Sequence, residues 1–399
     1  MHHALGRFGG GEKLTILHSI NLKKMDFDVT LYYGGPITED WKRRVASEVD
    51  FRNFPFAISN SNLNIRELFK IIKELHDFDV ILFHHHVDPI SAFFITNLIK
   101  KDMVWYCGEP LRALWEDWVS GNSYRTLDLT VKATSSKYYG RTVTKILLSS
   151  PLYGITVNFL RSLDIATVIN FRKIVANSYY TKKVISRLYR IKDEIPVVHP
   201  GVDSNLNSSL TPDPDPIEDN IKILSIGAMI PMKNYPNIIK AFSYLPQRLR
   251  FSSKLTIVGD GPERKRVQSL ISKLDLNRQV VIKRKVTERE LERLYCECNF
   301  VVNTTVHEPF GLVPLEAALF CKPSIVSNMG GMKEFVIPEK TGIVADPLNP
   351  EEISQSMRRL IENRDLTNKM GLKARERVVK KFRIEDSAKK VASILDRLN

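Results

Sequence analysis

Short apolar runs alternate along this chain with longer stretches whose apolar residues recur at helical spacing, the pattern of strands in a parallel sheet joined by covering helices. In the first half, FDVTLYYGG from Phe27, FDVILFHHH from Phe78 and DMVWYCGEP from Asp102 read as strands whose C-terminal ends carry Gly, His or Glu. Ligands of such sheets bind beyond those ends, so the residues there are candidates for function. The pattern breaks between Pro200 and Ile221, where PGVDSNLNSSLTPDPDPIEDN is too polar to contribute a core. It restarts with IKILSIGAMI from Ile221, then LTIVGDGPE, VVIKRKV, CNFVVNTT, PSIVSNMGG and GIVADP, each followed by a helical pattern or a short loop. A second doubly wound domain is expected there. The reading is therefore an N-terminal domain over 1–200, a linker over 201–220 and a C-terminal domain over 221–380. The last segment, IEDSAKKVASILDRLN from Ile384, is an amphipathic helix whose apolar face must pack on something.

The length of 399 residues agrees, since it exceeds what one hydrophobic core usually serves. A formal net charge of +14 favours an anionic partner: nucleic acid, an acidic membrane surface or a phosphorylated small molecule. The basic residues are scattered (Lys132, Lys137, Arg141, Lys145, then Lys283, Arg284 and Lys285), without a basic tail or a zinc-finger, RRM or KH signature. Nucleic acid is therefore not expected as a partner. Four cysteines and no recognisable secretion signal point to reduced thiols and a cytoplasmic location. Cys296 and Cys298 lie in ELERLYCECNF, which has helical periodicity and lacks zinc-site spacing. The apolar stretch PLYGITVNFLRSLDIATVINF from Pro151 is interrupted by Arg161 and Asp164. It reads as a core helix pair rather than a membrane span, with an amphipathic, membrane-facing role as the alternative.

The candidate chemistry is concentrated in HEPFGLVPLEAALF, His307 to Phe320. CNFVVNTT is a buried strand, VHEP a turn at its end, and FGLVPLEAALF the start of a helix, so Gly311 and Leu312 offer backbone N–H groups at a helix N-terminus. Such a terminus suits phosphate by geometry and by dipole. Glu308 then stands at the pocket entrance, and Glu316, early in the helix, can accept hydrogen bonds from two hydroxyls of a ribose. Two acidic residues at this separation are common as plain turn and helix charges. The intervening apolar segment and the flanking strand and helix make the pair informative.

This stretch resembles the signature of retaining glycosyltransferases of the GT-B fold, specifically glycosyltransferase family 4. GRFGGGEKLTI near the start is similar to the family's Gly-rich first loop, with Gly9, Gly10 and Glu12 on the pattern. VANSYYTKK, VVHPGVD, SIGAMIPMKN, VGDGPE, CKPSIVSNMGGMKEFV and KTGIVADP resemble further family segments in the same order. The resemblance implies two Rossmann-like doubly wound domains facing across a cleft, with the helix over 381–399 crossing back to the first. It implies transfer of a sugar from a nucleotide-sugar donor, UDP- or GDP-linked, to a glycan or lipid-linked acceptor with retention of configuration. Lys233, after the Gly227 turn, would neutralise the departing diphosphate. Glu308 would contact the donor sugar, Pro309, Phe310, Gly311 and Leu312 would line the donor site, and Glu316 would grip the ribose. Gly9, Gly10 and Gly11 would let the backbone approach donor or acceptor closely.

Two departures stand out. Many family members carry Arg directly after the glycine at Gly227, where this chain has Ala228, so Lys233 acts alone or borrows charge from Arg284 or Lys285. The family also commonly places a His where this chain has Gly108; His84 and His85, or Glu109 and Arg112, are the candidates to line that sugar or acceptor site. The DPD at Asp213–Asp215 and the DFD at Asp26–Asp28 and Asp77–Asp79 match a metal-binding DxD only superficially, because none follows a strand end. Neither an obligatory metal nor another cofactor is expected. The alternatives are a nucleotide-sugar epimerase or a phosphorylase on the same fold, or a non-catalytic basic binding protein that kept it. An anionic membrane surface is a further expected partner, with the protein peripheral at the cytoplasmic face.

Overall fold

The computed structural model describes residues 9–33, 42, 45–53, 65–85, 89–112, 114–115, 153–203 and 220–398. Most of the expected linker, together with His86, the Lys132–Lys145 stretch and Asp213–Asp215, lies outside them. The chain forms two compact units, Met1–Gly201 with Ile384–Asn399, and Val202–Arg383.

In the first unit α1 (Gly10–Lys23) precedes β1 (Thr30–Tyr33) and β2 (Asp50–Asn53), which pair in parallel. Then come α2 (Ile65–Leu75), β3 (Val80–His84), α3 (Pro89–Leu98), β4 (Asp102–Cys107), α4 (Tyr153–Val168), β5 (Lys173–Ala176) and α5 (Tyr179–Leu188). The strands β3, β4 and β5 form a second parallel sheet in that order. Alternation along β4 explains how both faces are covered. Met103, Trp105 and Cys107 pack with Ile95, Val157 and Ile185 of α3, α4 and α5, while Val104 and Tyr106 pack with Leu14 and Leu17 of α1. The same second face receives Ile384, Val391 and Leu395 of the final helix, whose apolar stripe is thereby buried. The strand β2 was not legible in the sequence, since Asp50-Phe51-Arg52-Asn53 holds a single apolar residue.

The stretch after Pro151 is one helix, α4, rather than the expected pair, and it runs on through a turn into β5. Its two charges turn inward. Asp164 accepts hydrogen bonds from Trp115 Nε1 and Tyr189 Oη, both at 2.7 Å. The Arg161 guanidinium lies 5.1 Å from the Trp115 ring centroid and donates to the Leu114 carbonyl. Among the described residues no helix is long and apolar enough to cross a membrane.

The second unit contains β6 (Ile221–Ile226), a 3₁₀ turn at Pro231–Lys233, α6 (Tyr235–Ser243), α7 (Gln247–Phe251), β7 (Ser253–Val258), α8 (Arg264–Lys273), β8 (Val280–Lys283), α9 (Glu288–Glu297) and β9 (Phe300–Asn303). It continues with α10 (Val313–Leu319), β10 (Ser324–Ser327), β11 (Gly342–Ala345), α11 (Pro350–Glu362) and α12 (Arg364–Lys381); α13 (Ile384–Asp396) is the helix that returns to the first unit. All six strands are parallel in the order β11-β10-β9-β6-β7-β8. Near-continuous apolar strands such as Phe300-Val301-Val302 follow from burial on both faces. The chain winds outward from β6 to β8 and then restarts on the other side with β9. The order reverses between β6 and β9, which is where a doubly wound sheet opens a crevice for a ligand.

Candidate functional site

The loops that leave β6 and β9 meet at this reversal. After β6, Lys233 closes the 3₁₀ turn, and Asn234 follows in the left-handed region with φ 60°. The Asn234 side chain donates to the Pro347 and Thr304 carbonyls at 2.7 and 3.2 Å, and the Val306 N–H donates to the Met232 carbonyl at 2.8 Å. These bonds clamp the β6 loop to the β9 loop. The lysine ammonium is thereby brought to 2.5 Å from Glu308 Oε2, with side-chain exposures of 19% and 15%. Gly227 is held in turn by Tyr235 Oη, which donates to its carbonyl at 2.7 Å.

Glu308 follows His307, a non-glycine residue with φ 53°, so the chain turns sharply as it enters the site. The Glu308 carbonyl accepts the Gly331 N–H at 2.8 Å, tying the loop after β10 to the same place. Phe310 is buried in the core beside Phe382, so it anchors the loop and leaves the backbone of Pro309, Gly311 and Leu312 to line the site. Gly311 has φ 83°, and a Cβ there would come within 3.2 Å of Glu308 Cγ. The left-handed backbone, with Met332 Cγ closer still at 3.0 Å, favours glycine there. Glu316 sits in the first turn of α10, and its Oε2 accepts from Tyr295 Oη at 2.9 Å. Because α10 has only seven residues, its dipole is short, and the localised positive charge at this site comes from Lys233.

Arg284 was a candidate to replace the arginine missing at Ala228. Its Nε and Nη2 instead engage Asp260 Oδ2 at 3.0 and 2.8 Å, and this pairing holds the Asp260 carboxyl below its usual range. Asp260 also lies 3.4 Å from Arg264 Nε, so one carboxylate holds both guanidinium groups.

In the first unit the C-terminal ends of β3 and β4 converge on the start of α1. His85 has φ 73°; its N–H donates to the Tyr106 carbonyl and its carbonyl accepts from Trp105 Nε1, each at 2.8 Å. Its ring lies between Gly11 and Gly108. A Cβ at Gly108 would fall 1.7 Å from His85 Nδ1, and one at Gly11 would fall 2.9 Å from Nε2. The imidazole of His85 thus fills the space that a side chain at position 108 would need. Arg112, itself buried, donates through Nε to Glu109 Oε2 at 2.5 Å. Glu12 Oε2 accepts the Gly9 N–H, and burial, reinforced by the Glu109 charge, pushes the Glu12 carboxyl up to about 7.

His84 does not join this group. It is buried, with Nδ1 at 2.8 Å from Thr15 Oγ1 and Nε2 at 3.0 Å from His18 Nδ1. His18 Nε2 continues the chain to Ser387 Oγ at 2.9 Å, and Ser387 donates to the His199 carbonyl at 2.8 Å. The relay ties β3 through α1 to α13. Burial pushes His18 down to about 3, so it stays neutral. Sequence patterning missed this relay and also missed Tyr295, because a histidine or tyrosine on an apolar stripe reads as ordinary core. Among the described residues no three His, Cys, Asp or Glu side chains gather as metal ligands, and Asp26, Asp28, Asp77 and Asp79 precede strands rather than follow them.

The family profile of glycosyl transferases group 1 matches residues 210–377. This part of the chain is similar to the glycosyl transferases of group 1. The match contains Gly227, Lys233 and Glu308, which meet at the sheet reversal, and Glu316 in the first turn of α10. An uncharacterized glycosyltransferase of Methanocaldococcus jannaschii, MJ1607, is 29% identical over 44% of this chain and 45% of its own length. The mouse alpha-1,3/1,6-mannosyltransferase ALG2 is 29% identical over 53% of this chain and 55% of its own. The chain thus spans about half the length of these curated relatives. Anabaena Alr3699/HepE, solved with UDP and glucose, superposes with a TM-score of 0.76 at 16% identity, covering 99% of this chain and 98% of that one. That likeness shows the GT-B fold for this chain.

Proposed function

We propose that this protein transfers a sugar, a hexose, from a UDP- or GDP-linked donor to a glycan or lipid-linked acceptor, with retention of configuration, as a glycosyltransferase of family 4 type. The observation that carries the reading is the meeting of Lys233 and Glu308 at the sheet reversal, beside Glu316 and inside the group 1 match. A nucleoside diphosphate offers an anionic bridge and a vicinal diol, and the second unit offers an ammonium and a carboxylate for them. Glu308 then holds the sugar while Lys233 leaves it to neutralise the diphosphate as the bond to the anomeric carbon breaks. HepE, solved with UDP and glucose, and ALG2, named a mannosyltransferase, support this donor class. For the acceptor we assign His85, Glu109 and Arg112 with Gly9, Gly10 and Gly11, which in place of the expected loop form the cap and first turn of α1, since they gather where ligands of a parallel sheet bind. His85 takes the place left by Gly108. Retention follows a front-face route, in which the departing phosphate accepts the proton of the acceptor hydroxyl; the donor site holds Glu308 without a second carboxylate assigned to a double displacement. Lys233 supplies the charge that a metal supplies in DxD enzymes.

Peripheral contact with an anionic membrane at its cytoplasmic face belongs to the same reading. Ile155, Phe159, Ile165 and Ile169 are exposed on and just after α4, as are Phe94 and Leu98 on α3, and the charges of α4 point inward. Calorimetric titration with UDP, GDP and ADP, then their sugar conjugates, tests the donor assignment. Tight binding of one nucleotide, with transfer of the sugar from its conjugate to an acceptor and release of the nucleoside diphosphate, supports it; binding without hydrolysis or transfer favours the non-catalytic alternative. Failure to sediment with anionic liposomes at low salt would remove the membrane contact.

A further inference from the structure

Leu291, Leu294, Tyr295 and Cys298 recur at helical spacing along and just beyond α9 and pack into the core beside β9 and α10. Tyr295 alone among them ends in a hydroxyl. Its ring stacks on Phe320, with centroids 5.4 Å apart and planes 12° from parallel, and the residue is 2% exposed. A phenol at that depth needs a hydrogen-bond partner, and its Oη donates to Glu316 Oε2 at 2.9 Å. Burial, with the Glu316 charge beside it, pushes the phenol well above its ordinary range, so it keeps the proton it presents to the carboxylate.

We propose that Tyr295 is a positioning residue: by holding one oxygen of Glu316, it fixes the carboxylate in the orientation that receives the ribose diol of the nucleotide. The inference rests on the reading of Glu316 as the ribose-binding residue. A carboxylate whose orientation is narrowed before ligand arrives has less to order on binding. Removing that ordering step in advance is worth about two- to ten-fold in affinity. Phenylalanine at 295 keeps the stack on Phe320 and removes only the hydroxyl, so the effect should appear in recognition of the diol and nowhere else.

The test is calorimetric binding of whichever of UDP, GDP or ADP binds tightest, and of its 2′,3′-dideoxy form, to the wild type, Tyr295→Phe and Glu316→Gln. The expected result is that Tyr295→Phe shrinks the preference for the ribose-bearing form by about two- to ten-fold while leaving the Kd of the dideoxy form unchanged. Equal weakening of both nucleotides would assign Tyr295 to packing and overturn the proposal. An undiminished preference in Tyr295→Phe, together with its loss in Glu316→Gln, would also overturn it and leave the role of Glu316 standing. An undiminished preference in Glu316→Gln would remove the ribose reading, and this inference with it.

Discussion

Replacing Lys233 by alanine perturbs the pair on which the proposed donor site depends. The ammonium is 2.5 Å from Glu308 Oε2, and both side chains are mostly shielded from water. A phosphate oxygen about 4 Å from that ammonium gains about 4 kcal/mol at an effective dielectric near 20. The wild type gives up a contact of the same kind with Glu308 when the donor arrives, so the net gain is smaller, about 2–3 kcal/mol. That corresponds to a loss of about 30- to 150-fold in kcat/KM for Lys233→Ala. The variant also leaves Glu308 without the ammonium beside an incoming diphosphate, so the double variant Lys233→Ala/Glu308→Gln should bind donor better than Lys233→Ala alone. Release of nucleoside diphosphate in a coupled assay gives the rates, calorimetry gives donor Kd, and a thermal melt checks that the variants fold. A folded Lys233→Ala within about three-fold of wild type in both quantities would refute the electrostatic reasoning, because no charge of that size could then be acting on the diphosphate.

Four further outcomes are expected. Glu308→Ala should lower turnover more than donor affinity, and Glu316→Ala should do the reverse; steady-state kinetics beside calorimetry separates them. Gly108→Ala places a Cβ 1.7 Å from His85 Nδ1 and must displace the ring, so transfer to acceptor should fall while donor Kd is kept, and a change in donor Kd alone would count against the acceptor assignment. The His18 pKa is depressed to about 3 in the folded protein, so as pH falls from about 6.5 the unfolded state takes up a proton that the folded state does not, and stability drops. Between pH 6.5 and 5 this costs about 2 kcal/mol, and thermal melts across that range should be flatter for a folded His18→Gln variant. Activity should also survive a chelator, since Lys233 supplies the positive charge; loss restored by magnesium or manganese would assign that role to a metal.

The strands of the second unit were readable because both faces of its sheet are buried, so Ile221–Ile226 and Phe300–Asn303 are apolar almost throughout. The same burial made β4 visible in the first unit, whereas β2, with Phe51 as its only apolar residue, left no periodic trace. Glu308 and Glu316 stood out through the turn and helix that follow β9, whereas Gly227 and Lys233 were named only through the resemblance to a known family.

What the sequence determined by itself was the class of fold and the doubly wound second unit, which rest on local periodicity; the residues proposed for the donor site came from short motifs and a family resemblance. Tertiary structure alone decided which residues meet. Lys233 and Glu308 are 75 positions apart and touch because β6 and β9 are neighbours in the sheet. His84 and His85 are adjacent in sequence, yet one is held by His18 in the interior and the other lies between Gly11 and Gly108. Tyr295 looked like any tyrosine on an apolar stripe until the fold placed Glu316 against its hydroxyl. Hydrophobic patterning specifies which face of an element is buried, but a hydrogen bond between distant side chains depends on angles and distances that only the packed chain fixes.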